Sequence, residues 1–107
     1  MKPEELKPLD SAAVTEALRG LSGWTGDEHG LKRTITFRDF RAAIAYMDAC
    51  VEGIEERDHH PVWSNTYKSL DIHLDTFDAG HRVTKKDVDL AEFLNSMLDK
   101  FQPEPGR

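Results

Sequence analysis

The segment Asp39-Phe40-Arg41-Ala42-Ala43-Ile44-Ala45-Tyr46-Met47-Asp48-Ala49-Cys50-Val51-Glu52-Gly53-Ile54-Glu55-Glu56-Arg57-Asp58-His59-His60-Pro61 decides how the rest of the chain is read. Phe40, Ile44, Met47, Val51 and Ile54 step by four, three, four and three residues, one apolar stripe of an amphipathic helix. The spacing predicts a helix from about Asp39 to about Arg57. It stops before His60, because the residue preceding a proline is pushed towards extended backbone. On both sides of this helix the apolar residues change to a period of two.

Towards the N-terminus, Asp10 or Ser11 can cap a helix carrying Val14, Ala17, Leu18 and Leu21 at helical spacing, with Gly20 near its end. Trp24 begins a short strand, and Asp27-Glu28-His29-Gly30 reads as a hairpin turn. Leu31, Arg33, Ile35 and Phe37 then alternate with Lys32, Thr34 and Thr36, Arg33 being the misfit on an apolar side. Towards the C-terminus, Trp63 to Phe77 reads as extended: Leu70, Ile72 and Leu74 face one way, Asp71, His73, Asp75 and Phe77 the other. Whether Lys68-Ser69 folds this stretch into a hairpin stays open, since neither residue is a strong turn former. Asp78-Ala79-Gly80 ends the strand. Thr84 and Asp87 resemble a capping box, with Asp where Glu or Gln is usual, opening a last helix with the stripe Leu90, Leu94, Met97 and Phe101. The order is helix, two strands, helix, two strands, helix. Hairpins separated by helices imply an α+β fold, an antiparallel sheet with helices on one face. We read residues 1–107 as a single domain with short flexible tails at about 1–8 and 102–107.

Of 107 residues, 38% are hydrophobic and 32% charged, the balance of a folded globular chain. Net charge is −6, and no Lys/Arg cluster is interleaved with aromatics, which argues against direct nucleic-acid binding; Lys85-Lys86 is too short to count. No apolar run approaches the ~20 residues of a membrane helix, and Met1-Lys2-Pro3-Glu4-Glu5 has no signal-peptide core. The lone Cys50 excludes an intrachain disulfide, suits a reducing cytoplasm, and reads as a small hydrophobe on a helix.

The chemistry concentrates in Asp58-His59-His60-Pro61, followed by Trp63, Asn65 and Tyr67. Histidine titrates nearest neutrality and can give or take a proton at working pH. Side chains alternate along an extended segment, so both rings face one ligand only if the chain bends there. Glu55, Asp58, His59, His60 and Trp63 combine acids and bases with a surface on which a planar heterocycle can stack. That suits lyase chemistry without a metal or a covalent intermediate. The residues leave a second possibility open: two histidines that cap and pack a helix end. A metal site built from His59 or His60, His73 and His81 matches no ligand spacing, and no serine or cysteine lies in a nucleophile elbow. No metal is expected.

Glu55, His59-His60-Pro61 and Tyr67 together resemble the signature of the pterin-4a-carbinolamine dehydratase family. Asp58, Trp63, Asn65, Thr76, the Asp78-Ala79-Gly80 turn, Asp87 and the Phe37-Arg38-Asp39-Phe40 stretch are also similar to the family pattern, which spans Trp24 to Phe101. The resemblance implies four antiparallel strands with three helices, and therefore a hairpin at Lys68-Ser69. It implies dehydration of 4a-hydroxytetrahydropterin to quinonoid dihydropterin, with pterin as substrate and no other cofactor, recycling the cofactor of aromatic amino-acid hydroxylases. His59 and His60 would flank the pterin as catalytic residues. Glu55, Asp58, Pro61, Trp63, Phe77 and Asp87 would bind or support it. A homodimer or homotetramer is implied, and some relatives work through protein partners as dimerisation or assembly factors. One departure stands out. The family pattern asks for a third histidine or a tryptophan where this chain has Phe77, which can neither exchange a proton nor donate a hydrogen bond. The loop that follows is one residue longer, through His81-Arg82. His73 shares the predicted strand face with Phe77 but lies roughly 13 Å away along an extended strand.

Overall fold

The computed structural model describes residues 6–101. Asp10 opens helix α1 (Ser11–Arg19), its carboxylate accepting from the Ala13 N–H at 2.8 Å, and Gly20 closes it. The first hairpin follows, β1 (Thr25–Asp27) and β2 (Gly30–Thr36), turned at Glu28-His29. Helix α2 (Phe40–Arg57) starts on Asp39, whose side chain accepts from the Ala42 N–H at 2.8 Å. A second hairpin, β3 (Val62–Thr66) and β4 (Ser69–Leu74), precedes a 3₁₀ turn (Phe77–Ala79) and helix α3 (Lys85–Leu98). The sheet order is β1-β2-β4-β3, antiparallel throughout, with the three helices on one face. This is the α+β architecture and element order expected from the sequence.

The second hairpin turns at Tyr67-Lys68, with Thr66 paired to Ser69, one residue earlier than the Lys68-Ser69 position considered above. Tyr67 takes a left-handed conformation (φ 52°) that its side chain does not favour. Asn65 compensates: its amide donates to the carbonyls of Tyr67 and Ser69, both at 3.0 Å. Leu31, Ile35, Leu70, Ile72 and Leu74 point from β2 and β4 into the core against Val14, Tyr46, Leu90 and Leu94. Each such side chain contributes about 1.5–3 kcal/mol by leaving water. Arg33 escapes the apolar face by reaching the Ser22 carbonyl (2.7 Å) and Asn95 Oδ1 (2.5 Å), which also accepts from the Trp24 indole (2.8 Å).

Helix α2 corrects one expectation. Its buried line is Ala43, Tyr46, Cys50, Gly53 and Ile54. The stripe that marked it in sequence is only partly used: Phe40, Ile44 and Val51 are 50%, 41% and 44% exposed. The helix carries apolar residues on two faces, and periodicity picked the larger side chains. The core takes Tyr46 and Ile54 together with the small Ala43, Cys50 and Gly53, which let α2 lie close to its neighbours, Gly53 being set against the Phe93 ring. Cys50 is fully buried, and burial pushes its thiol pKa up to about 11, which removes it as a nucleophile. Of the expected tails, residues 1–5 and 102–107 lie outside the described residues. Leu9 is tied down, its N–H donating to the Val83 carbonyl at 2.9 Å.

Candidate active site at the exit of the second helix

Asp58 provides the bend that the histidine pair needs. It sits in the left-handed region (φ 47°, ψ 43°), closes α2 by donating its N–H to the Glu55 carbonyl at 3.1 Å, and turns the chain sharply. His59 and His60 then leave in different directions, yet both line one cavity of about 350 Å³. That volume lies at the lower end of the range for small-molecule sites.

His59 is 9% exposed, and its Nε2 lies 2.6 Å from Oδ1 of Asp87, a carboxylate with no exposure at all. Asp87 is the third residue of α3 and completes the capping box with Thr84, whose N–H donates to Oδ2 at 2.9 Å. The Thr76 hydroxyl donates to the same oxygen at 2.7 Å, and accepts in turn from the Thr84 hydroxyl at 2.7 Å. An ionised carboxylate only accepts, so His59 presents Nε2–H to Asp87 and keeps Nδ1 as its second functional nitrogen. His60 is the contrasting member. Its Nε2 lies 2.8 Å from Glu55 Oε1, and both side chains are more than half exposed, so solvent screens the pair.

The opposite wall comes from the end of β4. The strand stops at Leu74 rather than running on to Phe77 as its alternation suggested. Thr76 pairs with Arg82 in an isolated bridge, and the chain between them makes the 3₁₀ turn and two left-handed residues, Gly80 and His81. This fold-back brings Phe77, His73 and His81 to the same cavity. Asp75 lies between two rings, its Oδ2 2.9 Å from His73 Nε2 and its Oδ1 3.1 Å from His81 Nδ1. Burial alone would raise the Asp75 pKa. Hydrogen bonds and charge from His73 and His81 outweigh it and hold the carboxyl below the usual aspartate value.

Of the residues singled out from sequence, Asp58, His59, His60 and Phe77 line the cavity, Glu55 reaches it through His60, and Asp87 stands behind His59. Pro61 and Trp63 are not on its wall. Trp63 faces the helix side, half-buried against the core, and borders a separate, larger hollow of about 710 Å³ together with Arg33 and Ile72. Sequence reasoning left the strand face carrying His73 and Asp75 open between solvent, a site and a subunit contact, and allowed that His81 could swing back across the longer loop, without joining the three residues. The signal was an acid two residues from one histidine and six from another, which unites them only once the turn is known. Among the described residues no group of three or more His, Cys, Asp or Glu is arranged to hold a metal ion.

The sequence model of the family described as Pterin 4 alpha carbinolamine dehydratase matches residues 7–97. The chain belongs to that dehydratase family. A protein from Bradyrhizobium sp. (strain BTAi1), named "Putative pterin-4-alpha-carbinolamine dehydratase", is 44% identical over 91 residues, covering 83% of this chain and 91% of that protein. One of the same name from Mesorhizobium japonicum is 43% identical over 89 residues, covering 81% and 90%. The crystal structure of a transcriptional coactivator/pterin dehydratase from Brucella melitensis superposes with a TM-score of 0.80 at 32% identity, covering 85% of this chain and 98% of that one. The dehydratase-family fold thus holds the histidine pair at the end of its second helix, with the pair's carboxylate partners on α2 and α3.

Proposed function

We propose that this chain dehydrates 4a-hydroxytetrahydropterin to quinonoid dihydropterin by histidine acid–base catalysis, as part of tetrahydropterin recycling in the cytoplasm. The observation that carries the reading is the pair of imidazoles on one cavity wall, each with its own carboxylate: buried for His59, exposed for His60. Dehydration needs a proton delivered to the 4a-hydroxyl, so that it departs as water, and a proton removed from the neighbouring ring N–H as the C=N bond forms. Two imidazoles in unlike environments suit opposite halves of that exchange near neutral pH. Pterin is the substrate, and no further cofactor takes part. The deciding experiment follows freshly generated 4a-hydroxytetrahydropterin by rapid-mixing absorbance. Acceleration over the spontaneous reaction, proportional to protein concentration, is expected; a rate equal to the spontaneous one overturns the proposal.

A second reading rests on the uncovered apolar face of α2. Phe40, Ile44 and Val51 stand exposed on one side, with Tyr67, 65% exposed, beside the first two. Such a patch is characteristic of an association surface, and the Brucella neighbour is named a coactivator as well as a dehydratase. We infer a homodimer or homotetramer built partly through this face, able to serve as a dimerisation or assembly partner. Ile44→Asp with Val51→Asp should lower the mass measured by sedimentation while leaving the helical circular dichroism intact. An unchanged mass would reject the interface. Among the described residues no helix is long and apolar enough to cross a membrane.

A further inference from the structure

The cavity contains more imidazoles than the proposed reaction employs. His73 and His81 line it together with His59 and His60, and Asp75 bonds to both of the former. Because the Asp75 carboxylate accepts from both, each ring turns one N–H towards it. The consequence differs for the two. His73 gives up Nε2 and is two-thirds buried, whereas His81 gives up Nδ1, leaves Nε2 to accept in its neutral tautomer, and is 63% exposed at its side chain. His81 is therefore the ring able to meet a ligand. A carboxylate holding Nδ1–H, with Nε2 left to accept, is the arrangement of a general base.

His81 is also held in place. Its backbone is left-handed (φ 59°), a conformation that glycine adopts freely and other residues uncommonly, histidine more often than most. Its N–H donates to the Thr76 carbonyl at 3.0 Å, the next residue pairs back onto Thr76, and the Phe77 ring packs edge-on at 5.1 Å. Thr76 donates its hydroxyl to Asp87, the carboxylate that holds His59. One threonine thus frames both walls of the cavity. Glycine would relieve the backbone at this point, so the imidazole stands there at a cost in backbone strain.

We propose that His81 is a third catalytic imidazole of this chain, touching the pterin and accepting the ring N–H proton through Nε2, with Asp75 and His73 as positioning residues. The proposal rests on the dehydratase reading. His81 thereby takes over the accepting half of the exchange and leaves the His59–His60 pair the donating half; one proton accepted balances one delivered to the departing hydroxyl, so no external reactant is needed. It also accounts for Phe77: the ring at that position no longer carries a proton but buttresses the one that does.

The test is steady-state dehydration kinetics with thermal melting on His81→Gly, Asp75→Asn and His81→Gly combined with Phe77→His. His81→Gly should lower kcat by about tenfold or more with KM little changed, while its melting temperature stays level or rises because the left-handed strain is gone. Asp75→Asn should slow turnover less. Phe77→His should restore part of the rate lost in His81→Gly, by returning an imidazole to the same wall. Turnover that depends on His59 but is unaltered in His81→Gly would overturn this inference and leave the dehydratase reading standing. A wild-type chain with no acceleration at all overturns both. A fall in melting temperature paralleling the loss of rate in His81→Gly, with no rescue by Phe77→His, would make His81 a structural residue and reject the assignment.

Discussion

Asp87→Ala is expected to lower the unfolding free energy by about 2–4 kcal/mol, because a buried acceptor shared by several donors is lost, and to abolish turnover with it. The carboxylate is wholly buried and accepts from three donors: the His59 ring, the Thr76 hydroxyl and the Thr84 N–H. Removing it orphans all three. Each buried donor left unpaired costs about 1–3 kcal/mol; α3 keeps its N-cap, since the Thr84 hydroxyl still accepts from the Lys86 N–H at 3.2 Å, and loses only the reciprocal half of the capping box. These contributions overlap, since Thr76 and Thr84 still pair with each other, so the sum is not the forecast. Against a total stability of about 5–15 kcal/mol for a domain of this kind, the variant should be near the edge of folding at 37 °C. Urea denaturation monitored by circular dichroism measures it. Asp87→Asn keeps the shape but must turn an amide N–H towards one donor, and should fall between the two. A loss under about 1 kcal/mol in Asp87→Ala would mean that Asp87 is not the keystone described.

The second large effect is on catalysis. With His59→Ala and His60→Ala combined, the rate above background should fall by about 10²–10⁴, the contribution of positioned acid–base groups. The two single variants should differ in kind. His59→Ala removes a buried ring and leaves Asp87 without that donor, so it loses stability as well as rate. His60→Ala removes an exposed ring paired with an exposed Glu55 and should leave the melting temperature almost unchanged. A double variant with undiminished turnover would remove both residues from the mechanism.

Much of the fold was legible because its signals are local. Asp39, the apolar period and the halt before His60-Pro61 set the bounds of α2, and Thr84 with Asp87 announced α3. Which face of α2 is buried was not legible. Ala43, Cys50 and Gly53 look bland in sequence, and they line the core because small residues let α2 approach its neighbours. The site divides along the same line. His59 and His60 were evident as a dipeptide with a carboxylate one helical turn behind. His73, Asp75 and His81 depend on a fold-back fixed by Thr76 and Arg82 and by two left-handed residues, one of them a histidine, which composition does not foretell. Trp63 illustrates the reverse error: alternation along β3 directs it to the helix side, away from the histidine cavity that its proximity in sequence suggested.

Helix α2 buries one stripe at home and offers another to solvent. With the association proposed for that outer stripe, folding is coupled to mass action, and the midpoint of thermal unfolding should climb with protein concentration. Stabilities of variants are then comparable only at matched concentration. A substitution at Ile44 or Val51 that is silent in a dilute sample can register as destabilising in a concentrated one.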